Sequence, residues 1–209
     1  MADTDTAGGP ARPPREAEIE RRTGETHVRV RLALDGSGAG ERSTGVGFFD
    51  HMLDLLARHG RMDLSVAVEG DLQTGAHHTV EDTAIVLGQA LSQALGDRAG
   101  INRYGSATVP MDEARATAAI DISGRPFALF AAELPPGAIG GFEHELAEEF
   151  FRALAGAGRL TLHLEVEAGS NAHHMIEAAF KALAVALREA TAVSARERGI
   201  PSTKGTLTG

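Results

Sequence analysis

The pattern His-His-x-x-Glu occurs twice, as His77-His78-Thr79-Val80-Glu81 and as His173-His174-Met175-Ile176-Glu177. The chain repeats itself in order around each copy. Arg61 to Glu69 and Arg159 to Glu167 both alternate apolar with polar residues, end in Val-Glu, and lead through a loop to a histidine pair. Glu25 to Gly36 and Glu113 to Gly124 share a Glu, a strand and a Gly turn, while Phe48–His59 and Phe142–Leu154 both carry helical apolar spacing. Matches that recur in the same order are the mark of a tandem duplication. The expected fold is therefore α+β, built of two half-domains at about 17–100 and 101–205. Each half runs strands, helix, strand, helix, with amphipathic helices packed on sheets.

Within that plan, Val28, Val30, Leu32 and Leu34 face one way and Arg29 and Arg31 the other, which predicts a half-buried strand over Glu25–Leu34. Gly60 fits a helix stop, and helices are expected from about His77 to Leu95, ending near Gly96, and from His173 to about Val193. Met1 to Glu16 mixes Asp, Thr, Gly, Pro and Arg without an apolar period and is expected to be a disordered tail, leaving 17–209 as one domain.

Composition narrows what the repeats can do. With no cysteine, thiolate sites are excluded, so any metal is held by His, carboxylate or backbone oxygen. The net charge of −9 argues against a nucleic-acid partner. No stretch approaches the roughly 18 apolar residues of a membrane helix. The start has no apolar signal core, and Asp3 and Asp5 argue against a transit peptide, so a cytoplasmic location is expected.

Four of the nine histidines lie in the two pairs. On a helix, residues i and i+4 share a face, whereas i and i+1 differ by about 100°. His77 and Glu81 can grip one ion while His78 points elsewhere, and likewise His173 and Glu177 with His174. Two such helices related by pseudo-symmetry can exchange their odd histidines, giving two imidazole–carboxylate sites suited to Mn, Fe(II) or Zn. A third ligand per site is expected from the other helix of each half: aligning the strands that follow pairs His51 with Glu149, each metal-capable and each near the start of an apolar helix. His59, two turns from His51, is a candidate supporting residue. His27, His144 and His163 are weaker candidates; His163 alternates with Leu162 and Leu164 and is expected on an outer strand face. Arg103, Arg125 and the run Pro201-Ser202-Thr203-Lys204-Gly205 put basic and hydroxyl groups in loops that suit a phosphate, and Lys181 lies one turn beyond Glu177 on its face.

From about Arg21 to Gly205 the chain resembles imidazoleglycerol-phosphate dehydratase of histidine biosynthesis, in its single-function form. The resemblance rests on Phe49-Asp50-His51-Met52-Leu53, His77-His78-Thr79-Val80-Glu81-Asp82-Thr83, Asn102-Arg103, Asp121-Ile122-Ser123-Gly124-Arg125-Pro126, the run from Gly169 through Lys181, and Pro201 to Gly205. It implies a helical bundle between two four-stranded sheets (ribosomal protein S5 domain 2-like) and a homo-oligomer of 24 subunits built from trimers. It implies two Mn(2+) per subunit, one on His51, His78, His173 and Glu177, the other on His77, Glu81, Glu149 and His174. Substrate contacts would come from these ligands and from His59, with Arg103, Arg125, Lys181, Ser202, Thr203 and Lys204 around the phosphate, and Glu25 as the acid/base. The implied reaction is dehydration of D-erythro-1-(imidazol-4-yl)glycerol 3-phosphate to 3-(imidazol-4-yl)-2-oxopropyl phosphate.

Three positions depart from the family pattern. Gly75 stands where many relatives have an acidic residue, Leu55 where many have Gln, and Glu149 where several have His. The first two bear on substrate affinity; the third hardens a metal site. A metal-dependent hydrolase and a metal-storage shell are the competing classes, separated from a dehydratase by phosphate release and by absence of turnover respectively.

Overall fold

Two alternating strands flank each connection from which a helix springs, and the chain does this twice. The computed structural model describes residues 13–207. In the first half, β1 (Glu16–Arg22), β2 (Thr26–Ala33), β3 (Arg42–Ser43) and β4 (Asp63–Gly70) are interleaved with helices α1 (Gly47–Gly60) and α2 (His77–Leu95). In the second, β5 (Tyr104–Met111), β6 (Ala114–Asp121), β7 (Phe127–Ala131), the short β8 (Ala138–Ile139) and β9 (Phe142–Glu143), and β10 (Thr161–Ala168) are interleaved with α3 (Leu146–Gly158) and α4 (Ala172–Thr191). The sheets have orders β1-β2-β4-β3 and β5-β6-β10-β7, so every strand of one has a counterpart at the same place in the other. In both, the last strand pairs in parallel and the rest antiparallel.

The inward faces of β2 and β6 (Val28, Val30, Leu32; Ala116, Ala118, Ile120) are buried, and α2 packs on the first sheet as α4 does on the second. The remaining helices cross over: α3 packs on α2, and α1 on α4. One core joins all four helices to both sheets, with Phe49, Phe142, Phe150, Phe151 and Phe180 fully buried at its centre. The α2–α3 approach is close because Gly88 has no side chain: a Cβ there would lie 2.7 Å from the Leu154 carbonyl oxygen and from the Gly158 nitrogen. The halves also end their first helix alike. Gly60 is the last residue of α1, and the left-handed cap falls on Arg61, as it does on Arg159 after α3, each at φ 53°.

The α+β duplication therefore holds, with three adjustments. Strands β1 and β5 are edge strands that periodicity did not reveal, β1 because Ala17 and Ile19 are its only apolar residues, β5 because Pro110 interrupts it at an edge where a missing donor is tolerated. Phe142 does not begin a helix. Gly140 and Gly141, both with positive φ, make a two-residue hairpin that pairs Ile139 with Phe142, and α3 starts at Leu146. The expected tail lies mostly outside the described residues, but its last residue, Glu16, already pairs with Ala33, and the Arg15 Nε donates to Asp35 at 2.8 Å.

Candidate metal centres

The helix pairs that cross over carry the His-His-x-x-Glu copies. His173 and Glu177 occupy successive turns at the start of α4, and α1 lays His51 against them. The His51 Nε2 lies 3.4 Å and the His173 Nε2 3.1 Å from the same oxygen, Oε2 of Glu177. Among the described residues these three form the one group of metal-capable side chains whose donor atoms lie within 4.8 Å of one another. Phe48 braces the His173 ring edge-on at 5.0 Å. The Asn171 side chain accepts from the His173 backbone N–H and caps α4, which fixes the first turn. Burial pushes the Glu177 carboxyl up, but the Lys181 ammonium, 2.6 Å from Oε1, together with the two imidazoles, outweighs it and holds the group below its ordinary value. Glu177 is thus a buried carboxylate with a fixed charge. His59, at the end of α1, is pushed down by burial and then by the charges of Lys181 and Arg188, which favours its neutral form.

On the other helix pair, His77 and Glu81 of α2 sit 3.9 Å apart, and Glu149 of α3 lines the same recess as His77, with Glu148 and Arg152. This trio is the counterpart of His51, His173 and Glu177, with a second carboxylate in place of a histidine. It is more open, and no cation takes the place of Lys181, whose repeat position is Ile85.

The structure brings three members of the first expected set of four within reach of one another; of the second, His77 lies near Glu81 and shares a recess with Glu149, but the three do not converge as the first trio does. The two odd histidines point away. The His78 Nδ1 lies 3.0 Å from Asp71 and its Nε2 faces Glu25 at 3.6 Å. The His174 Nδ1 lies 2.7 Å from Glu113, with Asp112 3.8 Å from Nε2. Hydrogen bonding to Asp71 raises His78 and hydrogen bonding to Glu113 raises His174. Glu113, which accepts from His174 and from the Asn171 and Ser170 N–H groups, falls to about 2. Glu25 itself is held beside α2 through its neighbour: Thr26 donates to the buried Asp82, which also pairs with Arg21.

The phosphate candidates other than Lys181 gather at the far end of the molecule. The backbone N–H of Arg103 donates to the carbonyl of Ala190, in the last turn of α4, about 25 Å along the helix from His173. The Arg103 guanidinium grips Asp121 through Nε and Nη2 at 2.7 and 3.1 Å and donates from Nη1 to the Pro201 carbonyl at 2.8 Å, which ties down the segment bearing Ser202, Thr203 and Lys204. The turn before Arg125 packs on the same segment, since a Cβ on Gly124 would strike the Leu207 carbonyl, to which the buried Arg98 also donates. Arg125, Thr203 and Lys204 are exposed. Arg103 thus has two of its five N–H groups left for a ligand.

The weaker histidine candidates join neither centre: His27 bonds Glu20 and Arg22, His144 the Pro135 carbonyl, and His163 is exposed beside Phe127. Asp71, Glu113 and Asp121 were missed as partners of site residues. For Glu113 a signal was present, since the repeat pairs it with Glu25. Gly75 has φ 114°, a conformation that favours glycine.

Known proteins are similar to this chain along most of its length. The sequence model described as imidazoleglycerol-phosphate dehydratase matches residues 44–187. A protein named imidazoleglycerol-phosphate dehydratase from Moorella thermoacetica is 58% identical over 193 residues, covering 92% of this chain and 98% of its own. One of the same name from Exiguobacterium sp. is 56% identical, covering 93% and 100%. Among solved structures, imidazoleglycerol-phosphate dehydratase from Staphylococcus aureus superposes with a TM-score of 0.78 at 38% identity, covering 86% of this chain and 99% of that one. IGPD from Pyrococcus furiosus, in complex with (S)-C348, gives 0.77 at 37%, covering 90% and 99%.

Proposed function

The chain belongs to the imidazoleglycerol-phosphate dehydratase family, hydro-lyases of histidine biosynthesis, and on that premise we propose that it dehydrates D-erythro-1-(imidazol-4-yl)glycerol 3-phosphate to 3-(imidazol-4-yl)-2-oxopropyl phosphate with two Mn(2+) per subunit. The observation that carries the metal requirement is the convergence of His51, His173 and Glu177. Two imidazole nitrogens and a carboxylate whose charged form Lys181 favours are a donor set for a divalent ion of intermediate hardness. His77, Glu81 and Glu149 form the harder second centre.

Each centre needs a further ligand, and His78 and His174 are the candidates. Neither reaches its centre within one chain, and the phosphate residues lie about 25 Å along α4 from His173, a distance that no small phosphorylated imidazole bridges. Both separations support a site assembled from several copies of the chain, in line with the 24-mer of trimers that the resemblance implies. One copy supplies a metal trio and Lys181; others supply the odd histidine and the cradle of Arg103, Arg125, Ser202, Thr203 and Lys204.

When bound, the metals would supply Lewis acidity to the imidazole ring, which would help its electrons expel the hydroxyl from the carbon beside it. The residues of the chain do the rest. Glu25, exposed just before β2 and 3.6 Å from His78, would take the proton from the next carbon to give the enol, while the expelled hydroxyl leaves as water, and would then return a proton to the ring-side carbon as the enol becomes the ketone. Lys181 and the cradle fix the phosphate and thereby the orientation of the ring. His59, pushed towards its neutral form by burial and by Lys181, would border the site without adding charge. Asp121 and Arg98 hold the cradle in place. The biosynthetic role and the absence of a membrane-spanning helix among the described residues support a cytoplasmic location.

The test is an assay of the purified protein with the imidazole substrate, with Mn(2+) and with chelator, following both product and inorganic phosphate. The expected result is metal-dependent turnover without phosphate release. Activity untouched by chelation contradicts the metal centres, and release of phosphate contradicts dehydration.

A further inference from the structure

The two odd histidines share a feature that their metal role does not require: each has its Nδ1 on a carboxylate. A carboxylate accepts and cannot donate, so in each pair the Nδ1 carries the hydrogen, and the lone pair of the neutral ring lies on Nε2. Both carboxylates are themselves fastened. Glu113 accepts from the backbone N–H groups of Asn171 and Ser170 at 2.8 and 3.1 Å, in the turn that opens α4. Asp71 accepts from the Thr74 hydroxyl at 3.0 Å, in the 3-10 turn (Leu72–Thr74) that opens α2.

The halves solve the same problem with different residues. Glu113 stands between β5 and β6, and its repeat counterpart, Glu25, stands between β1 and β2. In the second half this residue holds the Nδ1 of His174. In the first half the seat on Nδ1 of His78 is taken by Asp71, which belongs to a connection, 71–76, that is longer than its counterpart at 169–171 and has no equivalent there. Glu25 is left facing Nε2 at 3.6 Å, beyond hydrogen-bond length.

We propose that Asp71 and Glu113 are positioning residues that lock the tautomer and ring orientation of His78 and His174 so that each presents Nε2 as a metal donor, and that Asp71, by taking over this task in the first half, releases Glu25 for proton transfer. The proposal rests on the metal reading above. Partners of this kind typically change metal affinity by about 10- to 100-fold.

The test is Mn(2+) binding by the full-length chain, by chelator competition, for the wild type, Asp71→Ala, Asp71→Asn, Glu113→Ala and Glu113→Gln, with the melting temperature of each metal-free protein. The expected result is an affinity loss of about 10- to 100-fold at one of two sites in each alanine variant. Partial recovery in the Asn and Gln variants, which keep an acceptor oxygen, and near-constant metal-free melting are expected with it. Unchanged affinity in both alanine variants, with normal binding by the wild type, overturns the proposal alone, as does a loss accompanied by collapse of metal-free melting. A wild-type chain that binds no Mn(2+) overturns the metal reading beneath it.

Discussion

The Glu177 carboxylate is shared: Oε1 holds the Lys181 ammonium at 2.6 Å while Oε2 receives both His51 and His173. One buried charge thus links the metal trio to the candidate phosphate lysine. Glu177→Gln keeps the volume and removes the charge. Expected outcomes are a fall from two bound metals to one per subunit and a loss of turnover of at least about 100-fold, since even outer partners of metal ligands are worth ~10- to 100-fold. Metal analysis beside a kinetic assay checks both.

Gly88 governs the second centre from a distance. A methyl group there meets the backbone of Leu154 and Gly158 at 2.7 Å, and backbone does not yield as a side-chain tip does. Gly88→Ala is expected to push α3 from α2, at a cost of roughly 1–3 kcal/mol. For a chain of this size that lowers the melting temperature by about 2–4 °C per kcal/mol. Because Glu149 rides on α3 and His77 on α2, the variant should weaken Mn(2+) at the α2–α3 centre more than at the α1–α4 centre. Calorimetry and metal titration separate the two effects.

Acidity acts on the metal-free chain and on metal binding in different ways. His78 and His174 have raised pKa values, so their stabilising contribution is complete below the ordinary 6.5 and is lost as pH rises through the raised values. Glu113, lowered from 4.5 to about 2, stabilises above 4.5 and loses that contribution as pH falls towards about 2. The contribution of these pairs is greatest between 4.5 and 6.5. With chelator present, these pairs lower the melting temperature on either side of that window. The Asp71→Ala and Glu113→Ala variants should show a flatter profile than the wild type. Metal binding follows the opposite trend on the acid side. Protons compete for the ring nitrogens, so as pH is lowered Mn(2+) affinity should begin to fall while the pH is still above the ordinary histidine value of 6.5.

The duplication was legible because His-His-x-x-Glu, the Val-Glu strand ends and the apolar helix spacings recur in order. Aligning the halves paired His51 with Glu149 but looked for each in its own half; their grouping with His173 and Glu177 and with His77 came from the family resemblance, and α1 in fact packs on α4 and α3 on α2. Edge strands were less legible: β1 carries two apolar residues and β5 a proline, so alternation is weak where only one neighbour must be paired. The Gly140-Gly141 hairpin hid behind Phe142, whose burial serves a strand as well as a helix. Glu113 and Asp121 escaped because their contacts join segments 61 and 18 residues apart, whereas Asp71, only seven residues before His78, sits in a connection without the periodicity that would tell which way it faces. The separation of Arg103 from His173 was written in the length of α4, yet it becomes visible only once Arg103 is seen bonded to the carbonyl of Ala190.

That separation makes the composite site the central claim, and subunit complementation tests it most directly. His173→Ala removes a metal ligand, and Lys204→Ala removes part of the phosphate cradle; each variant alone is expected to be nearly inactive. When the two are denatured together and reassembled, or co-expressed, a copy with an intact metal trio meets a copy with an intact cradle. Composite sites predict that mixed assemblies regain a substantial fraction of wild-type turnover. Mixed assemblies of verified composition that remain as inactive as either parent would contradict it.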